Sequence, residues 1–274
     1  AVDLPYEIRD SFIDAGLAHT LAASGFHVAL MLTLVLGVTK MQPPKTQASV
    51  GFISLAVYVG LTGLQPSVVR ASLMGGGTLL GLILDRKVKP LGGLTMAATL
   101  ILIVNPQWIW DVGFQLSIVA TLGLIVSVPG LMKRLDWMPT SIAGLVAVPI
   151  AAYLWTIPLQ LLYFEVLPTY SVFLNAIATP LVIAISMGGF VSAIAAIIWP
   201  WLGSLVAFIL YYPINLLIWL VNHFNQLPGH SVGITGMKAE YTVIAYLIYV
   251  AVCIWLWQRE QRALRNSDNK ALSL

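Results

Sequence analysis

SVFLNAIATPLVIAISMGGFVSAIAAII, residues 171–198, runs without one ionisable side chain. A helix needs about 20 predominantly apolar residues to cross the hydrocarbon core of a bilayer, and this stretch exceeds that. Working outward from it, runs of the same kind recur near 18–38, 47–64, 67–84, 91–106, 112–131, 140–163, 203–222 and 240–257, about nine in all. Of 274 residues, 59% are hydrophobic and 9% charged, which leaves too little polar surface for a soluble domain of this length. Spanning segments must satisfy their backbone hydrogen bonds internally, and the alternating pattern of a barrel is missing. The expected fold is therefore all-α: a polytopic transmembrane helix bundle of about nine spans with kinked or broken helices. Pro180 and Gly188-Gly189 make 171–198 long enough to be a broken one.

The charges sort by side. If residue 17 lies outside, the inner side collects Lys40, Lys45, Arg86, Lys87, Lys89, Lys133, Arg134, Arg259, Arg262, Arg265 and Lys270, leaving only Arg9, Arg70 and Lys238 of the 14 basic residues at or near the outer face. The positive-inside rule then puts the N-terminus outside and the C-terminus in the cytoplasm. Trp108, Trp110, Trp137, Trp199, Trp201, Trp255 and Trp257 fall near span ends, the depth where amphipathic rings settle. Residues 1–16 read as a short amphipathic helix on the outer membrane surface, with Pro5 at its start and Gly16 at its end. Leu4, Ile8, Phe12 and Ala15 share one face of it. Residues 17–258 form the membrane domain, and 259–274 a loose basic tail in the cytoplasm. Neither a secretory signal nor an initiating Met precedes the chain, so it reads as part of something longer. Cys253 is the single cysteine, which excludes an internal disulfide and a thiolate cluster.

Three features sit where hydropathy alone would not put them. In the first span, His19, Ala23 and His27 follow each other by whole turns, with Ser24 and Gly25 beside them. Ionisable side chains inside a membrane face a bundle interior or a wet cavity. A Ser24–His27 hydrolase dyad competes here with polar groups bonding across helices, Gly25 allowing close approach. No third ligand of suitable type accompanies the histidines, so neither a metal nor a cofactor is expected. The second feature is Pro66-Ser67-Val68-Val69-Arg70, opening a span, with Ser67 read as its N-cap and Arg70 one turn inside. Arg70 either snorkels to headgroups, pairs with Asp111, or contacts passing anions at a cavity mouth. The third is Asp111-Val112-Gly113-Phe114-Gln115-Leu116-Ser117, where Asp111 caps a helix and Gln115 lies one turn deeper.

Polar residues also line up by whole turns elsewhere: Ser54, Tyr58 and Thr62; Tyr153, Thr156, Gln160 and Tyr163; Ser171, Asn175 and Thr179; Ser204, Tyr211, Asn215 and Asn222. Repeated stripes of this kind predict a wet lumen or a continuous polar seam. Pro149, Pro158, Pro180 and Pro213 kink these helices, and freed carbonyls are tolerated where they border a cavity.

HTLAASGFH, PSVVRASLM and DVGFQLSIVATLGL, in that order and at these separations, resemble the transmembrane competence domain of the ComEC family. The resemblance covers nearly the whole chain, from Leu4-Pro5 through Asn175 and Pro180 to the last span. His19, Ser24, Gly25 and His27 match the family's His-x(4)-Ser-Gly-x-His signature. Pro66, Ser67 and Arg70 match Pro-Ser-x-x-Arg, and Gly113, Gln115, Leu116 and Ser117 match Gly-Phe-Gln-Leu-Ser. Ala23 and Phe26 depart from the family's more frequent Ile and Leu.

The resemblance implies a channel in the bacterial inner membrane that passes single-stranded DNA to the cytoplasm during natural transformation. His19, Ser24, Gly25, His27, Pro66, Ser67, Arg70, Asp111, Gln115, Ser117, Asn175 and Pro180 are its expected path residues. It also implies a surface DNA receptor, a cytoplasmic DNA-translocating ATPase, and the OB-fold and nuclease domains of a full-length protein as partners. The nuclease metal motif His-x-His-x-Asp-His does not occur in this chain, so it is not expected to be an enzyme. No nucleotide-binding loop occurs either. The competing functions are a polytopic membrane hydrolase using Ser24 and His27, and a small-solute transporter.

Overall fold

A computed structural model describes residues 5–234, 236–253 and 255; Leu4, Trp257 and the basic tail 259–274 lie outside the described residues. The chain is helical almost throughout. In order come α1 (Tyr6–Asp14), α2 (Ala18–Leu21), α3 (Gly25–Val38), α4 (Pro44–Thr62), α5 (Pro66–Ile83) and α6 (Pro90–Val104). A 3-10 turn (Pro106–Trp110) leads to α7 (Val112–Arg134), α8 (Thr140–Phe164), α9 (Ser171–Ile198), α10 (Pro200–Asn225) and α11 (Ala239–Cys253). Two three-residue strands, β1 (Val166–Pro168) and β2 (Ser231–Gly233), pair with each other. Proline sets several starts: Pro44, Pro66, Pro90 and Pro200 each open a helix, where the missing N–H costs nothing and the fixed φ is already helical.

Among the described residues, 5 helices are long and apolar enough to cross a membrane: α5, α7, α8, α9 and α10. Three of the other four expected spans fall short for two physical reasons, while α11 is described only as far as Cys253, before the end of the expected span 240–257. Helices α3 and α6 lie in the 10–17 residue range, which reaches at most about 25 Å at 1.5 Å per residue. Helix α4 has 19 residues, but its first turns carry Lys45, Thr46, Gln47 and Ser49.

Two compact units divide the chain. The first takes residues up to Thr156 together with Pro168–Val232, and the second takes Ile157–Leu167 with residues from Gly233 onward. Within the second, Thr242 donates from Oγ1 to the Pro158 carbonyl at 3.4 Å, and the Ile234 N–H donates to the Glu165 carbonyl at 2.9 Å.

Lipid tails are as apolar as leucine, so helices in a bilayer associate through close packing rather than hydrophobic exclusion. The first unit shows this at its glycines. A β-carbon at Gly51 would run into Leu79, one at Gly75 would press on Leu32, and one at Gly188 would meet Leu210. These contacts also fix direction. Gly25 lies beside Ala71 and Gly75 beside Leu32, so α3 and α5 advance together and run parallel, while Gly51 beside Leu79 makes α4 antiparallel to both. One core joins Val28, Met31, Leu32, Ala48, Leu55, Val68 and Leu79 from α3, α4 and α5. Another joins Phe12, Ala15 and Leu17 to Leu174, Ala178 and Val182 of α9 and to Leu217 and Val221 of α10.

Three expectations need correction. The first span is not continuous over 18–38: Ala22 (ψ 153°) and Ser24 (ψ 168°) are extended, so the chain breaks between α2 and α3. Ser24 prefers a cap position to a helix interior, and Gly25 supplies no side chain to hold the two pieces together. The break expected in 171–198 is missing, because α9 is continuous through Pro180, which sits on an exposed side of the helix. Finally, the apolar face of α1 is turned to protein. Phe12 is 3% exposed, packed on α9 and α10, and is not free to lie on a bilayer.

Candidate functional site

The starts of α3, α5 and α7 bring the three sequence motifs together. Ser24 is the N-cap of α3 by backbone conformation, but its hydroxyl makes no cap hydrogen bond. It meets Nδ1 of His27 at 2.9 Å instead. The His27 ring in turn stands edge-on to Phe26, with centroids 5.8 Å apart. Gly25, the first residue of α3, is where α5 comes closest: a β-carbon there would collide with Nη2 of Arg70 and press on Cβ of Ala71 at 3.2 Å. Glycine lets α5 and its arginine come this close.

Arg70 dominates the site electrostatically. It is 7% exposed, and Nη1 donates to the backbone carbonyl of Ser117 in α7 at 2.8 Å. That carbonyl already accepts from the Thr121 hydroxyl at 2.8 Å. Nε of Arg70 is buried with no partner, as is the Ser72 hydroxyl two residues on. A buried guanidinium held by one shared neutral acceptor is poorly compensated, since an uncompensated buried charge costs several kcal/mol.

Asp111 does not pair with Arg70. Its carboxylate accepts the N–H of Phe114 at 2.7 Å and caps α7, as the sequence suggested. Gln115 reaches back from α7, donating Nε2 to the Ile109 carbonyl in the 3-10 turn at 2.8 Å. Ser67 is not the cap of α5. Gln65 holds that position and Pro66 the next, because proline is preorganised for the first helical residue. His19 sits on α2, across the chain break from His27, so the whole-turn series His19–Ala23–His27 does not exist. Gly113 is exposed near the start of α7.

Asn175 belongs to a different place. Its Nδ2 donates to the carbonyl of Gly16 at 3.4 Å and to the Ser171 carbonyl and hydroxyl at 2.8 Å and 3.1 Å. Gly16 has φ +72°, and a β-carbon there would strike the Ser171 hydroxyl. Asn175 therefore fixes the corner between α1 and α2, and Pro180 lies further along α9 on an exposed side.

Most hydroxyls of the polar stripes are satisfied inside their own helices. Ser54, Thr62 and Thr179 each donate to the carbonyl four residues back, at 2.8, 2.8 and 2.6 Å. The exposed Asn215 likewise donates to the Tyr211 carbonyl at 2.8 Å. Such back-bonding needs no wet lumen.

Sequence reasoning missed several polar anchors. Asn225 donates to the Ser11 carbonyl at 2.8 Å, and Trp155 donates from Nε1 to the Ser127 hydroxyl at 2.9 Å. Gly123 lies directly under that tryptophan. A lone Gly facing a lone Trp across two helices leaves no periodic trace. Among the described residues, no group of three or more His, Cys, Asp or Glu comes together.

A membrane helix bundle with a buried arginine at the junction of helix starts defines the class. Within that class the chain belongs to the competence protein family, whose model matches residues 2–260. It is 26% identical to ComE operon protein 3 of Bacillus subtilis over 265 residues, covering 94% of this chain and 33% of that protein. It is 28% identical to an uncharacterised protein of Aquifex aeolicus over 199 residues, covering 72% of this chain and 46% of that one. The chain thus spans a third to under half the length of these relatives. No solved structure matches it. The ComEC resemblance drawn from the motifs agrees with these matches.

Proposed function

We propose that this chain is the conduit by which one DNA strand crosses the cytoplasmic membrane during natural transformation. One observation carries the reading: the segments around Ser24, Arg70 and Ser117, far apart in sequence, meet at a buried cation. Structural arginines inside membranes are costly, so one held there by neutral groups alone points to an anionic cargo. A strand must also leave, and a single cation beside hydroxyls grips phosphate less firmly than an Arg-lined lumen would.

The finer expectations follow as parts of this proposal. The chain crosses the bilayer about nine times, the N-terminus lies outside and the C-terminus in the cytoplasm. The short helices α3 and α6 cross where the bundle thins the bilayer locally. Strand entry is at the starts of α3, α5 and α7. A surface receptor delivers DNA, a cytoplasmic ATPase draws it in, and OB-fold and nuclease domains of a longer protein act beside it.

The test is uptake of a labelled strand in a transformable host. Arg70→Ala should reduce uptake strongly at unchanged protein level, while Ser24→Ala should leave part of it. The Ser24–His27 contact keeps the hydrolase reading in view. Complete loss in Ser24→Ala with Arg70→Ala harmless would support that reading and end the conduit.

A further inference from the structure

We infer that the start of α3 and the Arg70 guanidinium together bind a single phosphate oxyanion. The inference deepens the conduit reading and rests on it for the source of the phosphate.

Arg70 is more than nine-tenths buried, and its charge meets only the Ser117 carbonyl through Nη1. Nε has no partner among the described residues, and Nη2 lies against Gly25. The guanidinium therefore abuts the first residue of a 14-residue helix. That helix start carries roughly half a positive charge of its own. Two positive features in contact, one of them buried, repel each other, and an anion that joined them would relieve this.

The helix start is also left open. An N-cap serine ordinarily accepts a backbone N–H from the first turn. Here the Ser24 hydroxyl turns to His27 instead. His27 and Val28 donate to the Ser24 carbonyl, while the N–H groups of Gly25 and Phe26 find no acceptor among the described residues. Free N–H groups at a helix start bind phosphate oxygens. A planar guanidinium adds a second direction of approach that a tetrahedral oxyanion can meet at the same time. A bulkier residue than glycine at position 25 would push the two halves apart.

A phosphodiester of the DNA backbone and a lipid headgroup phosphate share this chemistry. The experiment uses the full chain in a neutral detergent, following thermal unfolding as inorganic phosphate replaces chloride at constant ionic strength. The native chain should gain roughly 2–4 °C at phosphate about tenfold over its dissociation constant. Arg70→Gln should lose the gain, yet unfold no earlier than the native chain in chloride, because it removes an uncompensated buried charge. Gly25→Ala should lose the gain as well. Should that variant not fold, Arg70→Lys, keeping charge without the fork, should retain less than half of it.

Equal phosphate response in the native chain and Arg70→Gln would overturn the site. An abasic oligonucleotide and a short-chain phosphatidylglycerol then separate the sources. A gain with the oligonucleotide supports both the site and the conduit. A gain with lipid alone keeps the site and overturns its DNA role. No gain with phosphate, oligonucleotide or lipid overturns the site, and the conduit then stands or falls on Arg70→Ala uptake alone.

Discussion

At the start of α3 a buried guanidinium shares one carbonyl with a threonine, whereas around the α1–α2 corner two asparagine side chains are tied to backbone carbonyls. There, Asn175 bonds three acceptors on Gly16 and Ser171, and Asn225 bonds Ser11. Both places bury polar side chains between helices of the first unit. At the corner the two asparagine amides find their acceptors inside the protein, as a bilayer demands. The α3 junction differs, because Nε of Arg70 and the Ser72 hydroxyl remain unpaired. Saturated polar contacts hold a shape, and an unsaturated cation awaits a partner. The difference separates scaffold from site more sharply than the polar stripes do.

Breaking the unsaturated side should have the largest effect, on function. Arg70→Ala should lower strand uptake by at least about tenfold, or ~1.4 kcal/mol of lost interaction, without lowering Tm. Breaking the saturated side should act on stability. Asn175→Ala strands the Gly16 carbonyl and the Ser171 hydroxyl and should cost about 1–3 kcal/mol, read as a lower Tm, with uptake per folded molecule little changed. If Asn175→Ala abolished uptake at full stability, the division between the two places would collapse. Gly123→Ala should cost about 1–3 kcal/mol by forcing Trp155 off its seat. That loss should appear in Tm with no change in phosphate response. Smallest is Ser24→Ala: its hydroxyl does not cap α3, so the loss should stay below about 1 kcal/mol, and a larger loss would mean the cap is stronger than its geometry.

Much of the fold was legible because hydropathy and proline punctuation are local. Residues 171–198 became α9 with the same bounds, and Pro66 and Asp111 marked two helix starts. The break at Ala22–Ser24 was not legible. Apolar length argued for one span, while the local preferences of Ser24 and Gly25 prevailed. The face of α1 was read correctly as apolar, but which surface it covers depends on α9 and α10, some 160 and more residues away in the chain. At the candidate site, the motifs singled out segments that meet in the fold, but not the bonds between them. Of the readings open for Arg70, the pair with Asp111 does not form; the arginine bonds a backbone carbonyl, which no sequence pattern announces. The stripes do not by themselves announce a lumen, because Ser and Thr can satisfy themselves one turn back, invisibly to spacing.

The most direct test stalls a strand during uptake and maps its neighbours with a photo-reactive p-benzoylphenylalanine placed at Ser67, one turn before Arg70, or at Phe173, which is 70% exposed on α9. The conduit at the α3–α5 junction predicts a crosslink to DNA from position 67 and none from position 173. Crosslinking from 173 with silence at 67 would contradict it.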